Sequence, residues 1–471
     1  MATNLDAVIA ANRFGLGARP GELQKIQDDP RGWLKGQVKG AREVPAAISF
    51  LLPSSQVFQQ QVQALLERRE AQNAVAEADG GAAMPRPDAR RRVIFDNYMA
   101  QVSARYQVAT HSEESFRERL VHFWSNHFAV SMDKLPVAAL AGTLENEAIR
   151  PNLHLSFFDL LLAADSHPAM ILYLDNQGST GPNSRLAQLA SRRANNQRKV
   201  DINENLAREI LELHTLGVNG GYTQADVTSF ARALTGWSVR GGSGLSMSTG
   251  EPGKFLFREA LHEPGAQTVL GKRYAEEGVE QPRAVLQDLS RHPATAQFIA
   301  TKLVRHFITD EPPVAAVQHV AKVFRDTEGH LPAVHTAVVE CAEAWAQPLS
   351  KYKTPHDFVV SAFRAFDYLP EPPRQVLAPF ELLGQRPFTP GSPAGWPDVA
   401  DQWDGPDALM KRIEWATQVG QRVGTRDSPV KLAEQSLGLV LSGHTRMALN
   451  GAADAAQGVA LWLVSPEFQR R

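Results

Sequence analysis

A single cysteine, Cys341, occurs in 471 residues, which excludes an intramolecular disulfide, a CxxC redox pair and a thiolate metal knuckle. Its neighbours Val338, Val339 and Ala342 place it in a packed helix as a small, inert hydrophobe. No stretch reaches the roughly 18 apolar residues that a membrane-spanning helix needs; the nearest, Phe157 to Ala164, is interrupted by Asp159. The first residues, Met1-Ala2-Thr3-Asn4-Leu5-Asp6, lack the basic and apolar regions of a secretory signal, so a cytoplasmic location is expected. Charge of one sign is missing too. Lysine plus arginine (49) nearly balances aspartate plus glutamate (51), which removes the broad electrostatic footprint of a nucleic-acid binder.

Strand signals are scarce, while apolar residues recur at three-and-four spacing almost throughout. The expected class is mainly α, a multi-helix orthogonal bundle, with one small β-hairpin near residues 238–274, where Phe255 and Phe257 alternate with other residues. The length suits one large helical domain over 1–471, with two lobes (1–110 and 111–471) as the alternative. Pro30 opens a helix at its first turn, and a long polar helix runs from Ser55 to about Glu77. A glycine and proline run, Asp79 to Pro87, breaks it before another helix from Asp88 to Thr110. Ser112 reads as the N-cap of the helix that carries Phe116, Leu120, Phe123, Trp124 and His127. His292 before Pro293 has the same context, and helices resume after Pro293. Pro387, Pro390, Pro393 and Pro397 exclude a regular helix between Gly384 and Trp403. Arg185, Arg192, Arg193, Arg198 and Lys199 lie in an acid-free stretch, either a solvated insertion or an anion-binding flap.

The densest polar run is Asn203 to Thr215, with three carboxylates, an arginine, two asparagines and a histidine, followed by a glycine turn and a second helix ending near Trp237. At about 100° per residue, Asn205, Glu209 and Glu212 share one face, and Glu204, Arg208 and Glu212 form an adjacent stripe. Leu206, Ile210 and Leu213 make the apolar stripe. A salt-bridged outer face explains this pattern without any chemistry. A site needs more donors, because Glu212 and His214 point about 160° apart; the remote candidates are Asn126 with His127, His167, and Asp175 with Asn176. The resulting assignment makes Glu209, Glu212, Arg208 and Asp175 catalytic, and Asn126, Asn176, Asn205 and Trp237 substrate-binding. His127 and His214 are the ligands of a divalent metal, if one is held. Each lone histidine also has an ordinary structural reading, and Trp237 a core-anchor one.

The blocks Phe123-Trp124-Ser125-Asn126-His127-Phe128, His167-Pro168-Ala169-Met170 with Tyr173-Leu174-Asp175-Asn176, and Asn203 through Trp237 together resemble the bacterial family known as domain of unknown function 1800. Ala11 to Gly17, His292 to Ala296, Lys351 to Pro355 and Ser465 to Phe468 extend the resemblance over nearly the whole chain. It implies a fold and a set of recurring polar positions, without an activity. It also implies a histidine where this chain has Ser125, which takes one donor from a metal reading. A partner from the domain of unknown function 1501 family, similar to alkaline phosphatase-like proteins and encoded nearby, is a further implication. Two functional readings follow: an enzyme using metal-assisted or acid–base chemistry on a small substrate, and a non-catalytic helical scaffold acting with that partner.

Overall fold

A computed structural model describes residues 4–77, 89–192, 201–241, 251–423 and 428–471. The fold is mainly α. Two two-stranded antiparallel sheets are its β-structure among the described residues. The expected single hairpin is thus two. β1 (Trp237–Val239) pairs with β2 (Phe255–Phe257), and β3 (Gln267–Val269) pairs with β4 (Lys272–Tyr274). No described helix is long and apolar enough to cross a membrane.

Helix boundaries follow local chemistry. Asp29 caps the Pro30–Gln37 helix by accepting from Gly32 N, with Pro30 in the first turn. Thr223 and Asp226 form a reciprocal capping box on the Gln224–Ala233 helix. His292 caps Pro293–Phe307 through Nδ1, which accepts from Ala294 N at 3.1 Å. Helical structure resumes earlier than expected, at Glu280. Ser112 is not the cap of the next helix: the Ser115–His127 helix starts after Glu114, and Ser112 Oγ accepts from Glu114 N instead. The 79–87 break and the basic positions 193–199 lie outside the described residues.

The polar run departs from ideal α geometry. Asn205–Glu209 is α-helical, but Ile210–Thr215 is a π-helical stretch. A wider turn advances less per residue, so the apolar stripe shifts: Leu206, Ile210, Leu211, His214 and Thr215 are buried, while Leu213 is only partly so.

One continuous hydrophobic cluster takes in side chains from Ala7 to Phe468. Its centre holds Phe14, Phe116 and Phe307, with ring centroids 5.5 to 5.7 Å apart. Through this apolar mass run fully buried arginines. Arg364 Nε donates to Gly17 O, Nη1 to the carbonyls of Ala109, Thr110 and Ser112, and Nη2 to both oxygens of Glu22. Its planar fork thereby joins the N-terminal region, the end of the Ala89–His111 helix and the Pro355–Phe366 helix. Gly17, at φ +106°, lets the backbone pass Ser361: a Cβ there would sit 2.6 Å from Ser361 Cβ.

Removing one partner of a buried pair strands the other. Arg364→Met is therefore expected to lower unfolding free energy by about 3–5 kcal/mol, with Arg364→Lys recovering only part of it. Urea denaturation followed by circular dichroism checks this; a loss below 1 kcal/mol contradicts the clamp.

Candidate functional site

Five helices, among them Ala89–His111 with Arg105 and Tyr106 and Ala141–Leu144, line a cavity of about 360 Å³ together with loop segments, a size suited to a small ligand. The Ser115–His127 helix contributes Arg119, His122, Phe123, Asn126 and His127, which fall on one face by three-and-four spacing. The last turns of Pro293–Phe307 contribute Lys302, Arg305 and His306 in the same way, and cations are favoured at that end of a helix. His356 and Asp357 come from the first turn of Pro355–Phe366, whose cap Thr354 accepts from Asp357 N. The proline-bearing segment between Gly384 and Trp403 forms a further wall with Pro387, Phe388, Trp396 and Asp398.

Electrostatics organise this cavity. His306 Nδ1 lies 2.6 Å from Asp398 Oδ2, so the imidazole donates there and its Nε2, which has no protein partner, carries the lone pair. Desolvation favours the uncharged Asp398 but is outweighed by His306, Lys351 and Arg471, which hold its carboxyl well below the usual range. Burial pushes His306 below its ordinary value although Asp398 pulls the other way. Opposite stands His122, whose two ring nitrogens both lack a partner, with His356 in edge contact at 4.7 Å between ring centroids. Burial lowers both, His122 far below its ordinary value and His356 to about 4, and in both the Arg105 and Arg119 charges add to the effect. Asp357 neutralises Arg119 Nη1 at 2.9 Å and Arg471 Nε at 2.8 Å, and Arg105 pairs with Glu145 at 2.8 Å. Lys302 has no ion-pair partner among the described residues; burial lowers it to about 8, with Asp398 opposing and Arg305 assisting.

The sequence-derived residues distribute unevenly around this cavity. Asn126 and His127 line it. Both polar atoms of the Asn126 amide are engaged by the loop: Nδ2 donates to Trp396 O at 2.9 Å and Oδ1 accepts from Trp396 N at 2.7 Å. His127 faces His214, its Nε2 3.1 Å from His214 O, and burial keeps it far below its ordinary value, helped by Lys302. His214 lies outside the cavity lining, fully buried, with Nδ1 2.9 Å from Asp165 Oδ1. Burial raises the Asp165 carboxyl while His214 draws it down. Asn176 is buried elsewhere and donates to the carbonyls of Leu234 and Trp237, fixing the start of β1 and the buried Trp237.

The other residues are not brought to the cavity. Asp175, exposed and at φ 58°, pairs with Lys134 at 2.6 Å. Arg208 bonds Glu204 and Gln224, and Glu212 accepts from Tyr222 Oη at 3.1 Å. Asn205 is exposed. Glu209 is half-buried and raised by desolvation, with His214 opposing. Among the described residues, no three histidine, cysteine, aspartate or glutamate side chains converge as a metal site.

What sequence reading missed was Arg119, His122, His306, His356, Asp357 and Asp398. One signal was present: Arg119 and His122 stand at helical spacing from Phe123 and Asn126, which belong to a block already singled out. The pairing of His306 with Asp398 spans 92 positions and leaves no local trace.

The chain matches, over residues 9–470, the family described as "Protein of unknown function (DUF1800)", and it belongs to that family. No curated protein and no solved structure matches it.

A carboxylate whose folded-state value is depressed stabilises the protein above its unfolded-state value of about 4 and loses that contribution as pH falls below it. Asp398→Asn should therefore cost about 2–3 kcal/mol at pH 7, and its deficit against the parent should shrink on acidification through pH 4. Thermal melts between pH 3 and 7 test this. A deficit that stays constant across that range contradicts the ion-pair network.

Proposed function

We propose that the cavity is a binding site for a small anionic molecule, on which the His306–Asp398 dyad performs general acid–base chemistry. The single observation behind this reading is that buried polar atoms without protein partners among the described residues converge on one cavity: both nitrogens of His122, Nε2 of His306 and Nε2 of His356, beside the Lys302 ammonium, which lies over the Phe298 ring and has no ion pair among those residues. Such groups are costly to bury unless something meets them. A ligand that presents negative charge to Lys302 and Arg305 and accepting or donating groups to the imidazoles meets them together.

In this reading, Lys302 and Arg305 hold the anionic group. Their charge sits on the helix turn that also carries His306, so a bound anion is delivered next to the imidazole. Asp398 fixes the His306 tautomer, with Nδ1 protonated and the Nε2 lone pair directed at the ligand or at a water beside it. A proton taken up at Nε2 makes an imidazolium that Asp398 stabilises. His122 and His356, neutral at pH 7, offer hydrogen bonds rather than charge. The positive field of Arg105, Arg119 and Lys302 makes a metal cation an unfavourable occupant, because it raises the cost of adding charge of the same sign. The reading is therefore of acid–base rather than metal-assisted chemistry.

The scaffold reading draws support from a different observation: Asp165 and His214 form a fully buried pair away from the cavity, as a polar device for fixing helix packing would. The two readings concern different residues, and the cavity needs its own test.

Calorimetric titration with inorganic phosphate and with simple mono- and dicarboxylates is expected to reveal saturable binding to at least one of them at pH 7. A lysine binds anions only when protonated, so affinity should fall as pH rises through about 8, reaching about tenfold weaker by pH 9. Lys302→Met should weaken binding at pH 7 by tenfold or more. Absence of binding to every anion, or an unchanged affinity in Lys302→Met, would sink the proposal.

A further inference from the structure

We infer that Asn126 is a positioning residue that aims Asp398 at His306 by pinning the backbone of the loop wall, so that the acid–base dyad exists only while this latch is closed. The inference rests on the acid–base reading of the dyad for its functional meaning, and on geometry alone for the latch.

Asp398 does not belong to a helix or strand. It sits in the proline-bearing segment between Gly384 and Trp403, where proline removes amide donors and regular backbone pairing is absent. Such a segment keeps its shape only through anchors from outside. On its far side those anchors are ionic and polar: Lys351 Nζ donates to Asp398 O at 2.7 Å, and Asp310 Oδ2 accepts from Ala400 N at 2.8 Å. At its beginning, Tyr98 Oη donates to Pro387 O and Met132 N to Phe388 O. Between these points two side chains hold the chain from Thr389 to Pro397: Trp403 Nε1 donates to Pro397 O at 2.9 Å, and from a helix comes the Asn126 amide. It satisfies the N–H and C=O of the same residue, Trp396, two positions before Asp398.

This amide mimics a strand partner. A carboxamide presents one donor and one acceptor in the spacing of a peptide unit, which few other side chains can do. Gly395 makes the approach possible. At φ +82° it adopts a conformation that L residues rarely reach, and a Cβ there would lie 2.3 Å from Asn126 O. Glycine and asparagine thus fit each other at a point where any larger residue pushes the loop away from the helix. Asn126 lies one helical turn from His122 and Phe123 on the cavity face, and the Phe123 ring lies 5.2 Å from that of His306. The helix that carries the latch therefore also packs against the imidazole being aimed.

The consequence is a site assembled by a peptide-like clasp. Loss of the two Asn126 bonds releases the Trp396 backbone, leaving its ring contact with Trp403, and lets Asp398 swing on its remaining anchors. The 2.6 Å contact to His306 then gives way to a mobile one, and His306 loses its fixed tautomer.

Histidine-labelled protein observed by nitrogen-15 NMR reads this directly, without any ligand. In the parent, His306 should appear as the Nδ1–H tautomer with a slowly exchanging ring proton. Asn126→Ala should accelerate that exchange by about tenfold or more, as expected for losing two hydrogen bonds that hold a segment closed. Gly395→Ala approaches the same contact from the other side and should do likewise. Asn126→Asp keeps the acceptor for Trp396 N and should fall between. Asn176→Ala removes an amide that also binds two backbone carbonyls, but far from the loop, and should leave His306 unchanged. If Asn126→Ala fails to fold, Gly395→Ala carries the test. Unaltered His306 exchange in whichever of these two is folded overturns the latch, as does an equal effect from Asn176→Ala. Failure of anion binding in calorimetry leaves this result standing, so the two ideas fall separately.

Discussion

Asp357 is the constraint on which the architecture turns. One carboxylate with almost no solvent contact compensates two buried guanidiniums, Arg119 and Arg471, and lies 3.7 Å from His356 Nδ1. Desolvation works against its charge, and the arginines outweigh it. Without this charge, two cations would stand uncompensated behind the cavity wall. With it, the net positive charge beside the cavity is reduced, while the Arg105 and Arg119 charges still act with burial to keep His122 and His356 uncharged.

Buried arginines recur as the means by which distant segments are tied. Arg13 reaches the carbonyls of Ala344 and Gln347, Arg412 holds Lys353 O and Gln469, and Arg364 gathers four carbonyls and a carboxylate. Arg13 and Arg364 place a planar fork on backbone oxygens that helix C-termini leave unpaired, and Arg412 takes one just ahead of a helix. This explains how so many short helices, several with only one or two turns, are fixed relative to one another.

Much of the fold was legible because its signals are local. Three-and-four spacing marked the helices, the glycine turn after Thr215 marked the start of a second one, and the prolines of 387–397 marked the irregular wall. The densest polar run drew attention for the same reason, yet its carboxylates serve mostly local partners such as Tyr222 and Gln224. The cavity was largely illegible because its polar atoms meet across long intervals: Arg119 and Asp357 are 238 positions apart. In the sequence each reads as an ordinary polar position on an amphipathic helix. Asn126 and His127 appeared in both views. The π-helical turn at Ile210–Thr215 was invisible too, since nothing in its residue types distinguishes it from an α-helical one.

The backbone of Lys351 pairs with that of Arg471 in both directions, at 3.0 and 2.8 Å, and delivers the Arg471 side chain to Asp357. During synthesis, the helices that make most of the pocket emerge long before this closing segment does. A nascent chain still tethered at residue 460 therefore carries Asp357 with one counter-ion instead of two. The second counter-ion of Asp357 arrives only once residue 471 has been made, so this part of the cavity wall is completed late in synthesis, whatever the order in which the helices form.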